Sequence, residues 1–130
     1  MEIGRRELLS YAIVSAAGQL LAPAKAVAAM NTYGLIAKLA SIAGRRDELI
    51  AILAESTVQM PGCVNYIIAK DAEGENTIWV TEVWESVTAH DESLSLPAVK
   101  AAIGKGRPLI ADFSRIAVTN PVSGVRSPAR

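Results

Sequence analysis

Two periods alternate along this chain, a period of two that marks strands and a period near 3.6 that marks helices. The change is sharpest over residues 77–97. Thr77-Ile78-Trp79-Val80-Thr81-Glu82-Val83-Trp84 alternates and is rich in β-branched and aromatic residues, which predicts a strand. Ile78, Val80, Glu82 and Trp84 share one face of it, and Trp79, Thr81 and Val83 the other. Residues 87–94 then read as a helix, with Ser86 or Thr88 placed to accept a free N–H at its start. Upstream, residues 31–42 carry Tyr33, Leu35, Ile36, Leu39 and Ile42 with one charge, Lys38, which suits a strand buried on both faces. Gly44 breaks it. Residues 45–60 show a helical stripe of Leu49, Ile52, Leu53 and Met60, with Asp47 and Glu48 in the first turn where the helix dipole favours acids, and Pro61-Gly62 stops it. Residues 63–71 form the second strand and the polar run 71–76 a turn, so this strand and the 77–84 strand make a hairpin. Pro97 restarts a short helix with Val99, Ala102 and Ile103, which Gly104 and Gly106 end. Residues 107–110 connect to a last strand at 113–120, where Ile116 and Val118 alternate against Arg115 and Ala117.

The order β-α-β-β-α-β, with the second helical region split by Pro97, is that of a ferredoxin-like α+β domain: one antiparallel sheet with helices on one face. Such a plan covers one side of the sheet only. The strands here are apolar on both parities, so a second copy packed sheet on sheet in a two-fold dimer is the economical cover.

The first thirty residues differ from the rest. Arg5-Arg6 precedes an uncharged run from Leu8 to Ala24, which closes in small-residue sequence around Ala24-Lys25-Ala26-Val27-Ala28. This resembles a twin-arginine export signal, although Gly4 stands where a Ser or Thr is usual and Glu7 adds a negative charge. Ser15, Gly18, Gln19 and Pro23 make the run too polar for a membrane span. The expected layout is a signal-like segment at 1–29 directing the protein to the periplasm, a domain at 31–121 and a tail at 122–130. Two alternatives stand beside it. Translation starting at Met30 would leave the protein cytoplasmic, and residues 7–21 would serve equally as an amphipathic helix packed on the domain.

Composition narrows the chemistry. At 130 residues the chain holds one domain with a proper core. Thirteen basic residues balance thirteen acidic ones without a basic stripe, which argues against nucleic acid as a partner. One Cys and one His cannot form a disulfide or supply the usual zinc set, and no cofactor or metal motif is present. Cys63, beside a turn, reads as a small core residue, and Gly104-Lys105-Gly106-Arg107 lacks the spacing of a phosphate loop. Glu82, between two large apolar neighbours on one face, is either a carboxylate facing a cavity or a rim residue paired with a Lys or Arg.

The succession Tyr33-Gly34-Leu35-Ile36, Gly44-Arg45-Arg46-Asp47-Glu48-Leu49, Pro61-Gly62-Cys63 and Thr81-Glu82-Val83-Trp84-Glu85-Ser86, followed by Ala89-His90 and Ser93-Leu94-Ser95-Leu96-Pro97, resembles the antibiotic biosynthesis monooxygenase (ABM) family. The resemblance covers about residues 32–117. It implies a dimeric ferredoxin-like α+β barrel and a cofactor-free oxidation of phenols or hydroquinones by O2. The same fold also carries haem-degrading members and members with no known reaction, so a non-catalytic ligand-binding or stress-associated dimer is the alternative and haem breakdown a weaker one. For a cofactor-free reaction the protein needs a base and an apolar pocket, because a phenolate gives up an electron far more readily than the neutral ring. Glu82 and His90 are then the expected catalytic pair, with His90 as base and Glu82 orienting it or accepting the proton itself. Trp84 and Tyr66 would stack on the ring, and Asn65 would bind a substrate oxygen. Against this, a single His at a helix start is often a capping residue, and paired Trp residues are often core.

Overall fold

A computed structural model describes residues 32–124, so the signal-like segment at 1–29 lies outside the described residues. Its elements are β1 (Tyr33–Ser41), α1 (Arg46–Glu55), β2 (Cys63–Lys70), β3 (Thr77–Trp84), α2 (Val87–Ser93), α3 (Pro97–Gly106), a 3-10 turn at Arg107–Leu109, and β4 (Ile110–Thr119). The sheet order is β2-β3-β1-β4, with β3 antiparallel to β1 and β2, and β4 antiparallel to β1. This is the expected ferredoxin-like α+β arrangement, with the helices on one face.

Alternation along β3 is complete, since Ile78, Val80, Glu82 and Trp84 are buried and the residues between them half-buried. Register carries that face across the sheet: Leu39 lies opposite Ile78, Ala37 opposite Val80, Leu35 opposite Glu82 and Tyr66 opposite Glu82 from the other side. The closed core occupies one end of this face, where Leu39, Ile78, Ala37 and Val80 meet Leu49 of α1 and Leu109. Gly106 stands where a Cβ would lie 3.2 Å from Leu49 Cδ1, so the end of α3 sits close against α1.

Local chemistry sets the boundaries. Helix α1 ends at Glu55, five residues short of the expected Met60, because Ser56 Oγ and Thr57 Oγ1 donate to the carbonyls of Leu53 and Ala54 while their N–H groups turn to the same oxygens. Asp71 Oδ2 accepts from the N–H groups of Glu73 and Gly74, and its Oδ1 accepts from Trp79 Nε1 at 2.9 Å, which shapes the β2–β3 turn. Arg46 Nη1 donates to the carbonyl of Gly74 at 2.7 Å, tying α1 to that turn.

The last strand departs from strict alternation. It starts at Ile110, three residues ahead of the expected Phe113, and its pairing with β1 shifts between Ile36 and Ala37. Ile36 faces Ala117 but Ala37 faces Arg115, which leaves Ile116 as the extra residue of a β-bulge. The bulge reverses the parity expected for this stretch, so Arg115 joins the helix-covered face. The opposite face carries Ile36, Ile67, Trp79, Thr81 and Val83, and no element among the described residues covers it.

Candidate functional site

At the other end of the helix-covered face the layers do not close. They leave a cavity of about 440 Å³, floored by Leu35, Ala37, Val80, Glu82 and Trp84 of the sheet and walled by His90, Ser93, Val99 and Ala102 of the helices. Leu94, Ile103 and Phe113, which are 48%, 41% and 55% exposed, rim it together with the exposed Arg107 and Arg115, so its mouth is apolar with two guanidinium groups.

Position follows from a single strand–turn–helix unit. Ser86 has extended backbone angles and its Oγ accepts from the N–H of Ala89 at 3.1 Å, which starts α2 as the sequence suggests. Four residues after this cap, His90 comes back over the end of β3. Ser93 Oγ donates to the His90 carbonyl at 2.6 Å and holds the last turn. Gly62 fixes where α2 lies on the sheet: its φ is +82°, and a Cβ there would come within 2.5 Å of Ala89 Cβ.

Within the cavity Trp84 Nε1 donates to Glu82 Oε1 at 2.8 Å, and His90 Nε2 lies 3.9 Å from that same oxygen, beyond hydrogen-bond range. His90 Nδ1 lies 3.1 Å from Asp91 Oδ1. If Nδ1–H donates to that carboxylate, Nε2 carries the free lone pair. The imidazole is held between Tyr33, at 5.1 Å between ring centroids, and the edge of Trp84, at 5.5 Å. Burial raises the carboxyl of Glu82 above the ordinary glutamate value, while the Trp84 bond, His90 and Arg115 oppose that shift. Burial also raises the Tyr66 phenol, helped by the charges of Glu82 and Cys63, so Tyr66 enters as a neutral group. Cys63 is raised for the same first reason and is half-buried, with its Sγ turned to the Asn65 carbonyl at 3.5 Å.

Of the five residues selected from sequence, Glu82, Trp84, His90 and Tyr66 line this one cavity. Asn65 does not. It pairs with Val83, whose side chain belongs to the uncovered face, and it is exposed there. Sequence reasoning missed Tyr33, Asp91 and Arg115. Tyr33 was legible as the residue directly opposite Trp84 on β1. Asp91 is the sequence neighbour of His90. Arg115 was hidden by the bulge.

A four-stranded ferredoxin-like sheet with a cavity between sheet and helices, entered by a His and a Glu from β3 and its following helix, defines the class. The family model for antibiotic biosynthesis monooxygenase matches residues 32–105, and the chain belongs to that family. Among solved structures, an antibiotic biosynthesis monooxygenase-type protein of Chloroflexus aurantiacus is 49% identical, with a TM-score of 0.67 over 72% of this chain and 95% of its own. Like-named proteins of Bacteroides thetaiotaomicron and Nitrosomonas europaea share the fold. They are 18% and 8% identical, with TM-scores of 0.67 and 0.68, over 75% and 74% of this chain and 97% and 95% of theirs. No curated protein matches the sequence.

Proposed function

We propose that the protein is a cofactor-independent monooxygenase that oxidises a hydroquinone or related phenol with O2. The observation that carries this reading is the placement of His90 and Glu82 together on the wall of one largely apolar cavity in an ABM-family chain. Volume fits as well, since pockets for small molecules run from about 300 to 1,000 Å³.

In this reading His90 Nε2 accepts the proton of a substrate hydroxyl, and Asp91 steadies the imidazolium through Nδ1–H. Glu82, held by Trp84 at 3.9 Å from Nε2, offers a negative charge whose attraction for the ring grows as His90 becomes cationic and draws it into an orienting contact. Trp84, Tyr66 and Phe113 supply the ring surfaces on which an aromatic body rests. The electron-rich phenolate passes electrons to O2, one oxygen atom enters the ring and the other leaves as water. With benzene-1,4-diol the products are hydroxy-1,4-benzoquinone and water. The quinol gains one oxygen atom and gives up two hydrogens, which leave in the water, so a single O2 closes the balance without another reductant.

A second copy of the chain, seated on the uncovered sheet face, completes the proposed assembly, because Ile36, Ile67, Trp79 and Val83 leave that face apolar. Residues 1–29 are proposed as a twin-arginine-type address. No helix among the described residues is long and apolar enough to cross a membrane. Oxygen uptake by metal-stripped protein across a panel of hydroquinones and phenols tests the reaction. Uptake with at least one hydroquinone is expected, and none across the panel would return the chain to the ligand-binding alternative.

A further inference from the structure

Arg115 occupies a position that regular alternation would deny it. Without the extra residue at Ile116, β4 would send Ile116 to the cavity and Arg115 to the uncovered face. The bulge instead pairs Arg115 with Ala37 on the helix-covered side of the sheet, where it lines the cavity and stays exposed to solvent. Arg107, at the end of α3, lines it too. Neither is held by a carboxylate, for the ion pairs among the described residues are Arg45–Glu48, Lys70–Asp47, Lys105–Glu55 and the two contacts at His90. The cavity's own acid, Glu82, sits two strands away on β3 with Oε1 bonded to Trp84, and feels the Arg115 charge without contacting it. Strand spacing puts the Glu82 and Arg115 rows about 10 Å apart across the sheet. The cavity therefore holds the base and the indole on its β3 side and the Arg115 guanidinium, with Phe113 two residues before it, on its β4 side, while Arg107 joins the lining from the turn after α3.

We infer that the cavity selects an aromatic acid, whose ring carries the reacting hydroxyl at His90 and whose carboxylate is bound by Arg115 with help from Arg107. The inference rests on the monooxygenase reading above and names the substrate class for it. A guanidinium can grip a carboxylate through two parallel N–H donors; Arg115 and Arg107 are exposed, so an acid would replace water on them, whereas a neutral quinol has no group that matches the fork. Apolar surroundings at the mouth strengthen the pairing relative to open water.

The test compares 1-hydroxy-2-naphthoate with 1-naphthol, which keeps the hydroxyl and the two rings but lacks the carboxylate. Binding is followed by quenching of tryptophan fluorescence in the full chain, since Trp84 lines the cavity. The acid is expected to bind about tenfold or more tightly, as a charged hydrogen-bonded pair implies, and the preference should fall with added salt. In Arg115→Gln the preference should shrink to about threefold or less while 1-naphthol affinity stays put; Arg115→Lys should fall between, because it keeps the charge but loses the fork. Unchanged melting temperatures would exclude a folding effect, and Arg107→Gln serves as the second variant. Equal affinities in the parent, or a preference indifferent to both substitutions, would overturn the inference. Oxygen uptake with naphthalene-1,4-diol separates the two readings: uptake without acid preference removes only the carboxylate site, whereas acid preference without uptake on any hydroquinone removes the reaction.

Discussion

Trp84 donates its indole N–H to Glu82 Oε1 at 2.8 Å, two residues away on the same face of β3, and His90 Nε2 stands 3.9 Å from that oxygen. The bond fixes the carboxylate without neutralising it. At that separation Glu82 makes no hydrogen bond to Nε2, so in the proposed reaction the imidazole nitrogen stays open to a substrate proton.

His90→Ala should lower turnover by roughly 10²- to 10⁴-fold, the usual range for a positioned base. Steady-state oxygen uptake measures it. Full activity in His90→Ala on a hydroquinone that the parent turns over would remove the assignment.

Glu82→Gln separates catalysis from stability. The rate should drop less than in His90→Ala if Glu82 orients the ring, and equally if it is itself the base. Stability gives an independent readout. Because burial raises the Glu82 carboxyl in the fold, the folded state holds that proton more tightly than the unfolded chain. Its contribution is therefore fully present below the ordinary glutamate value and is lost as pH rises through the raised one. Melting temperatures of parent and Glu82→Gln should accordingly diverge as pH rises from about 4 to 8, with the parent falling relative to the variant. A constant difference would mean that Glu82 is not desolvated.

Much of this was legible before the structure because local pattern and tertiary demand agree. The 77–84 strand has the expected bounds and faces, Ser86 is the expected cap, and Pro97 splits the second helical region as expected. Four of the five selected residues share a cavity, since Glu82 and Trp84 lie on the buried face of β3, Tyr66 registers with it, and His90 stands on the helix that follows. Parity failed at β4, where one extra residue moves Arg115 to the helix-covered face. Adjacency misled at Asn65, since neighbours on a strand point to opposite faces and Tyr66 already occupies the cavity side. Neither bulge nor register is written in hydropathy, because both depend on the partner strand.

Gly62→Ala should destabilise the fold by roughly 1–3 kcal/mol, since the new side chain would sit at a positive φ and against Ala89. Adding Ala89→Gly should recover part of that loss by removing the opposing methyl, though not the backbone strain. Denaturant midpoints across the four-way cycle give the coupling. Additive effects would show that α2 is not seated on Gly62.

Assembly is tested by mass. Ile67 is 50% exposed and shares the uncovered face with Trp79 and Val83, so a fragment of residues 32–130 should scatter light as a dimer at micromolar concentration. Ile67→Lys, which puts a charge on that face, should shift the equilibrium towards monomer. A monomeric mass for the parent fragment would rule out the sheet-on-sheet dimer.

The N-terminal segment makes a prediction that separates an address from a structural part. If residues 1–29 act through Arg5-Arg6, then replacing both with Lys should block export, because a guanidinium is a planar fork of donors and an ammonium of equal charge does not reproduce it. Deleting residues 1–29 should leave the melting temperature of the domain unchanged, since the described residues close a core of their own on Leu39, Leu49, Ile78 and Val80. Fractionation of cells expressing each form, with thermal melts of the purified proteins, reads both outcomes. Export that survives the double Lys exchange would point to another route. A lower melting temperature on deletion would instead make the segment a helix packed on the domain, and the charge pair would then belong to its surface.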